Sequence, residues 1–301
     1  MSYWIYFFLF LLGLSAGSFL NVSIFRYQPG ASLFDLKKLG GRSHCPHCGQ
    51  LLSWPELIPL FSFFWQKGKC RHCGKKISWQ YPLVEFLSGL VFLVVPIYLS
   101  SLYKISFWQF FLSGKHWFYG LIFVWLLIFL IWILTAFIDK RYYLIPSELN
   151  WGLFILGLII VLIQFFHQNF SPYFFSFLRH YALLFSFSSN IFLIHLSGAL
   201  IGGLFFGLIY FLTRGRAMGF GDVKLALASG WLFGWPDFGL VMALAFIFGG
   251  IWSLILILFK KKSLKDKLPF GPFLVLGMVL TFFFGYQIIE IYFHFLSLEF
   301  L

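Results

Sequence analysis

Charge is what this sequence lacks. Only 11% of its 301 residues are Asp, Glu, Lys or Arg, against about 25% in a typical soluble domain. Meanwhile 60% are hydrophobic and the mean hydropathy is +0.88. So little charge cannot cover a water-soluble globule of this size, which excludes a cytosolic enzyme, a secreted disulfide scaffold and a disordered chain. A signal-peptide pattern is also missing: the opening apolar run is long, has no basic segment before it and ends at no small-residue cleavage site. That run is expected to be a retained span. No glycine-rich strand–turn–helix nucleotide motif is present. Acids are scarcer than bases, 10 against 22, for a net charge of +12. The bases sit in short loops between apolar runs, so the excess reads as membrane orientation and lipid anchoring, with no call for a nucleic-acid partner.

What is there is an all-α polytopic membrane protein. A spanning helix needs about 20 apolar residues, and such runs occur at about Trp4–Phe25, Pro82–Tyr103, Trp117–Ile138, Leu149–His167, Ile191–Thr213 and Phe270–Phe295. Leu225–Phe259 is too long for one crossing, and Gly234-Trp235-Pro236-Asp237 is a turn signal that divides it. The count is about eight transmembrane helices. The aromatic stretch His167–Asn190, with Phe174, Phe175, Phe177, Arg179, His180 and Tyr181, reads as an interfacial or re-entrant segment on the outer face. The odd-numbered loops hold 19 of the 22 bases, including Lys37, Lys38, Lys262 and Lys265, while Lys104, Lys115 and Arg179 are the exceptions. The positive-inside rule then makes those loops cytoplasmic and turns both termini outward.

The four cysteines form two pairs, Cys45-Pro46-His47-Cys48 and Cys70-Arg71-His72-Cys73, each followed by glycine and separated by 21 residues. Each CxxC turn can present two thiolates to one tetrahedral ion, and two turns complete a closed four-thiolate zinc site. A closed site leaves no position for water, so the metal's role is structural: it folds a loop with little core. Arg71, Lys75 and Lys76 are expected to favour the thiolate forms. His44, His47 and His72 are alternative ligands that read more simply as exposed.

The chain has five aspartates. Asp35 and Asp266 belong to charged loops, and Asp237 opens a helix after a turn. Asp139 and Asp222 differ. Asp139 ends a run of 22 uncharged residues, and Asp222 closes Gly219-Phe220-Gly221-Asp222. From Gly221 to Gly234 the helical rise is roughly 20 Å against a hydrocarbon core of about 30 Å. Either the outer turn is sunk in the membrane or Asp222 is. Two carboxylates on the same side of the membrane that meet cannot both ionise readily, and one retains a proton. Such a pair can hydrolyse a peptide bond, the ionised member activating water and the protonated one polarising the carbonyl. It can equally relay cations, as in a transporter.

Together these residues resemble the type 4 prepilin-like leader peptidases, membrane aspartyl proteases of the GxGD type. The resemblance runs through Gly17-Ser18-Phe19-Leu20-Asn21-Val22, Ile58-Pro59-Leu60, both CxxC pairs, Tyr81-Pro82-Leu83-Val84-Glu85, Ile138-Asp139, Ile145-Pro146, Gly219-Phe220-Gly221-Asp222 and Pro269-Phe270-Gly271-Pro272. It implies an organisation of first transmembrane helix (1–25), cytoplasmic zinc-binding loop (26–81) and protease core (82–301), with Asp139 and Asp222 catalytic and Cys45, Cys48, Cys70 and Cys73 holding zinc. It implies a bacterial inner-membrane enzyme that removes the leader of prepilins or pseudopilins and then methylates the new N-terminus with S-adenosylmethionine. Ser147 stands where family members often have Asp, which leaves Asp139 as the candidate; Glu148 reads as the start of the next helix. Two alternatives remain at this level, a peptidase without methyl transfer and a cation-coupled transporter. A non-catalytic zinc-knuckle protein would leave the GxGD unexplained. Glu56 and Glu85 are the loop acids besides Asp35. Glu85 reads as a carboxylate in the first turn of the second span, Asn21 as a cross-helix hydrogen bonder or a substrate contact, and His195 as a satisfied interhelical donor.

Overall fold

The structure is a computed structural model that describes residues 2–33, 35, 40–103, 116–166, 176–261 and 266–295. Lys37, Lys38, Lys104, Lys115, Lys262, Lys265, Phe174 and Phe175 lie outside the described residues. The helices in chain order are α1 (Ser2–Arg26), α2 (Phe61–Trp65), α3 (Gln80–Leu102), α4 (His116–Tyr142), α5 (Ser147–Phe166), α6 (Ala182–Phe185), α7 (Ile191–Thr213), α8 (Phe220–Phe233), α9 (Asp237–Leu258) and α10 (Gly271–Phe295). Among the described residues there are no strands beyond two isolated bridges. Seven helices, α1, α3, α4, α5, α7, α9 and α10, are long and apolar enough to cross a membrane. The expected eighth, α8, forms between Gly219 and Gly234 but has only 14 residues, about 21 Å of rise, so it does not match a full crossing.

The chain divides into two units, residues 1–134 and 135–301. In the first, α1 and α3 approach closely because small residues face each other. A Cβ on Gly13 would lie 2.6 Å from the Ser88 carbonyl, and one on Gly17 would lie 2.7 Å from the Glu85 Cα. In lipid, where apolar side chains gain nothing by leaving the tails, such close backbone packing is what joins helices. Asn21 donates to the Tyr81 carbonyl at 3.0 Å, and Phe25 stacks on Tyr81. The cross-helix role expected of Asn21 is therefore present. Glu85 falls beyond the first turn of α3, and its partner is the Leu60 N–H at 2.8 Å. It is a clamp on the loop, not the helix-start carboxylate the sequence suggested.

In the second unit α8 lies against α7 and α5. Gly198 and Gly230 put the α7 and α8 backbones in contact, so that a Cβ on either would strike the other's carbonyl. Gly230→Val is expected to lower the thermal midpoint in detergent by several degrees, since overpacking costs about 1–3 kcal/mol. An unchanged midpoint would contradict this packing. His195 donates across helices as expected, with Nδ1 donating to the Trp231 carbonyl at 2.7 Å and Nε2 lying 3.1 Å from Gln164 Oε1.

The register of α7 on α8 sets the position of Asp222 along α7. Gly198 faces Gly230, Gly202 faces the Ala226 carbonyl and Gly207 faces Val223. The helices are thus antiparallel, and Asp222 comes level with about Phe206–Leu208. Helix α7 continues to Thr213, roughly 9 Å further. At the other end, the turn is held one turn inside α7, where the Trp235 N–H donates to the Ile194 carbonyl at 2.9 Å. Relative to the ends of α7, Asp222 is set further in than the Gly234 turn.

Of the expected interfacial segment His167–Asn190, residues 167–175 lie outside the described residues; the rest holds a short 3-10 turn, Arg179–Tyr181, followed by α6. Asp237, buried at the start of α9, accepts from the Ser176 hydroxyl at 2.6 Å and from the Phe177 N–H at 2.8 Å. Both its oxygens are engaged, which gives this carboxylate a structural task.

Candidate active site and metal centre

Asp139 lies one turn before the end of α4 and is 4% exposed; Asp222 is the third residue of α8 and is 8% exposed. Each is held through one oxygen by a backbone N–H at a helix start. Gly271, the first residue of α10, donates to Asp139 Oδ2 at 2.9 Å. Gly219, which precedes α8, donates to Asp222 Oδ2 at 3.0 Å. Free N–H groups and the positive end of the helix dipole make a helix start a natural seat for a carboxylate. Neither carboxylate has another hydrogen bond among the described residues, so Oδ1 of each remains available.

The two aspartate motifs pack together. A Cβ on Gly221 would sit 3.3 Å from the Ile145 Cβ, so the Ile145-Pro146 turn covers the glycine next to Asp222. Lys224 reaches back from α8 to the Ser147 hydroxyl at 3.3 Å. Asp139 lies near the end of α4, six residues before Ile145, so these contacts bring the elements that carry the two acids together. Glu148 lies in the first turn of α5, apart from the pair's hydrogen bonds.

Gly271 carries a role that sequence reasoning missed. A Cβ there would lie 2.7 Å from Asp139 Oδ2; only a residue without one lets the carboxylate reach the amide. Pro269-Phe270-Gly271-Pro272 was the available signal, since proline suits a first helical turn, but nothing in it names the partner.

In the first unit the cysteines converge. The ligand atoms of Cys45, Cys48, Cys70 and Cys73 all lie within 4.8 Å of one another, and Cys45 Sγ is 4.0 Å from Cys73 Sγ. No disulfide joins them. A tetrahedron with Zn–S bonds of about 2.3 Å has edges of about 3.8 Å, so the donor set suits that ion. The two turns are built alike. The N–H groups of Gly49 and Gly74 donate to the Cys45 and Cys70 carbonyls, and the Cys45 and Cys70 N–H groups donate to Gln50 and Lys75, all at 2.9 Å. Gly49 and Gly74 both have φ of 70°, the left-handed region that closes such a turn. The Cys70 thiol is lowered to about 6 by the backbone N–H groups of Cys73 and His72. Backbone amides, more than the basic side chains invoked from sequence, are the cause. His44, His47 and His72 are exposed and outside the cluster.

The prepilin leader peptidase/N-methyltransferase of Dickeya chrysanthemi is 32% identical over 306 residues, covering 93% of this chain and 94% of that protein. The chain belongs to the type IV leader peptidase family. That family's model matches residues 124–254, and the bacterial peptidase A24 N-terminal domain matches residues 11–99. Proteins of the same name from Aeromonas hydrophila (29% identical, covering 96% of this chain and 94% of that protein) and Legionella pneumophila (28%, covering 94% and 92%) are also similar. No solved structure matches. As a leader peptidase family member, the chain carries both acids inside the region the family model spans and all four cysteines inside the N-terminal domain.

Proposed function

We propose that this protein is a membrane-embedded aspartic endopeptidase that removes the leader of type IV prepilins or pseudopilins at the cytoplasmic face, and that it then methylates the new N-terminus. One observation carries the proteolytic reading: two buried aspartates stand on elements that pack together, each tethered through one oxygen and open at the other. The ionised carboxylate takes a proton from water as the water oxygen adds to the scissile carbonyl carbon. The protonated carboxylate hydrogen-bonds the carbonyl oxygen, and a proton then passes to the departing nitrogen as the C–N bond breaks. The glycines beside Asp222 leave room for an extended substrate backbone. The bias of basic residues toward the odd loops supports cytoplasmic cleavage.

Zinc is the ion that suits the four thiolates of Cys45, Cys48, Cys70 and Cys73, and bound there it would cross-link the loop. A sulfonium methyl donor, S-adenosylmethionine, is the co-substrate that the N-methyltransferase name of the relatives brings to this reading. Family membership also favours the peptidase over a cation-coupled transporter.

The experiment is to incubate the purified protein with a prepilin in detergent and follow leader release by mass spectrometry. Absence of cleavage would reject the reading. In the same assay Gly271→Ala is expected to lower kcat about 10²-fold, the usual cost of displacing a catalytic group by about 1 Å. Wild-type cleavage by this variant would show that the Gly271 contact does not position Asp139.

A further inference from the structure

Cleavage has its residues; methyl transfer has none so far. The first unit holds a carboxylate that resembles the two aspartates in its setting. Glu85 is 8% exposed, the same as Asp222. Its Oε2 accepts from the Leu60 N–H at 2.8 Å, and the Ser18 hydroxyl also bonds to it. Leu60 has φ of 60° and precedes α2, so the carboxylate grips the loop at a backbone position that leucine seldom adopts. No lysine, arginine or histidine lies within ion-pair distance of Glu85 among the described residues. A buried carboxylate without a cation is costly.

The walls around Glu85 are short of donors in the same way. Asn21 is 1% exposed; its Nδ2 is used on the Tyr81 carbonyl, one helical turn before Glu85, and its Oδ1 has no partner. Ser88, one turn after Glu85, is fully buried with an unpartnered hydroxyl, and it flanks Gly17 together with Glu85. A carboxylate without a cation and an amide oxygen without a donor are together the complement of an ammonium group.

We propose that Glu85, with Asn21 beside it, receives the α-ammonium group that leader cleavage creates and takes a proton from it for N-methylation. The inference rests on the function proposed above. The chemistry balances. The ammonium gives one proton to Glu85, and the freed nitrogen lone pair attacks the methyl carbon of the sulfonium donor. The N–C bond forms as the C–S bond breaks, sulfur keeps that electron pair as a thioether, and Glu85 passes its proton to water. Glu85→Gln separates this role from the clamp, because the amide oxygen still accepts from the Leu60 N–H while the charge is gone.

The test compares wild type and Glu85→Gln in nanodiscs with prepilin and the methyl donor, reading both products by mass spectrometry. Methylation should fall more than 100-fold while cleavage changes less than tenfold. A second arm, without methyl donor, measures binding of a synthetic mature pilin N-terminal segment. It should bind Glu85→Gln at least tenfold more weakly than wild type, and its N-acetylated form should bind wild type equally weakly. Methylation by Glu85→Gln at the wild-type rate, equal losses of cleavage and methylation, or indifference to acetylation would each overturn the inference. Absence of cleavage by wild type would overturn the proposed function instead, and the binding arm would still decide the role of Glu85.

Discussion

Asp139→Asn and Asp222→Asn are each expected to reduce leader cleavage by at least about 10³-fold in kcat/KM while leaving the protein folded. Removing one member of a unit that acts together forfeits most of its catalysis. Asparagine has nearly the volume of aspartate, and its carbonyl oxygen can still accept from the Gly271 or Gly219 N–H, the bonds that hold the two carboxyl groups. What asparagine cannot do is exchange a proton with water or with the scissile carbonyl. Because one acid must be ionised and the other protonated, cleavage by the wild type should also decline on both sides of an optimum pH. The matched control is Glu148→Gln: Glu148 begins α5 and should cleave at the wild-type rate. The measurement is initial rate of leader release, with a thermal midpoint for each variant. Cleavage that survives in either aspartate variant would reject the dyad, and loss in Glu148→Gln would show that the wrong acids were chosen.

The double substitution Cys45→Ser with Cys48→Ser should release bound metal and collapse the loop, with methylation falling at least tenfold more than cleavage. Between residues 40 and 79 the only buried side chains are Cys45, Glu56, Phe63 and Cys70. Glu56 is spent capping the 3-10 turn at Trp54, where its Oε2 accepts from the Ser53 N–H and hydroxyl; the Ser53 N–H first, then its hydroxyl, hold this carboxyl below the usual range. That leaves Phe63, packed on Trp79 at 4.8 Å, as the one buried apolar side chain of this stretch besides the cysteines. A single phenylalanine contributes about 1.5–3 kcal/mol, far below the cost of ordering some forty residues. A four-thiolate zinc site supplies about 10–16 kcal/mol, so the ion, not a core, would hold the loop. Losing it frees Leu60 from its strained position and the Glu85 clamp with it, which is why methylation should suffer first. Metal content by elemental analysis and the two product yields check the result. Full metal retention would reject the ligand set, and cleavage lost before methylation would contradict placing methyl transfer beside the loop.

Much of this was legible before any coordinates. Scarcity did the work: in a chain with so few acids, Asp139 and Asp222 stood out as candidates because one ends a long apolar run and the other closes Gly219-Phe220-Gly221-Asp222 before a short one, and the CxxC pairs because metal ligation demands that spacing. Helix count followed from the length of apolar runs, and the shortness of α8 from the glycines at both of its ends. Other features left no periodic trace. Gly271 and Asp139 are 132 residues apart, and the contact uses a backbone N–H, which every non-proline residue possesses. Glu85 looked like a helix-start charge because sequence shows neighbours along the chain, whereas Leu60 reaches it across 25 residues. The amides that lower the Cys70 thiol escaped notice for the same reason: lysines are visible in a sequence, while the direction of an amide is not.

By itself, then, the sequence determined that this is a multi-pass helical membrane protein with one metal-binding loop and one candidate acid pair, because hydropathy and ligand spacing are local properties. Only the tertiary structure decided where along α7 Asp222 lies, which amide holds each carboxylate, and that Glu85 grips the Leu60 N–H. Those depend on helix register and backbone direction, which arise when glycine-lined helices close on one another and are written in no single stretch of chain.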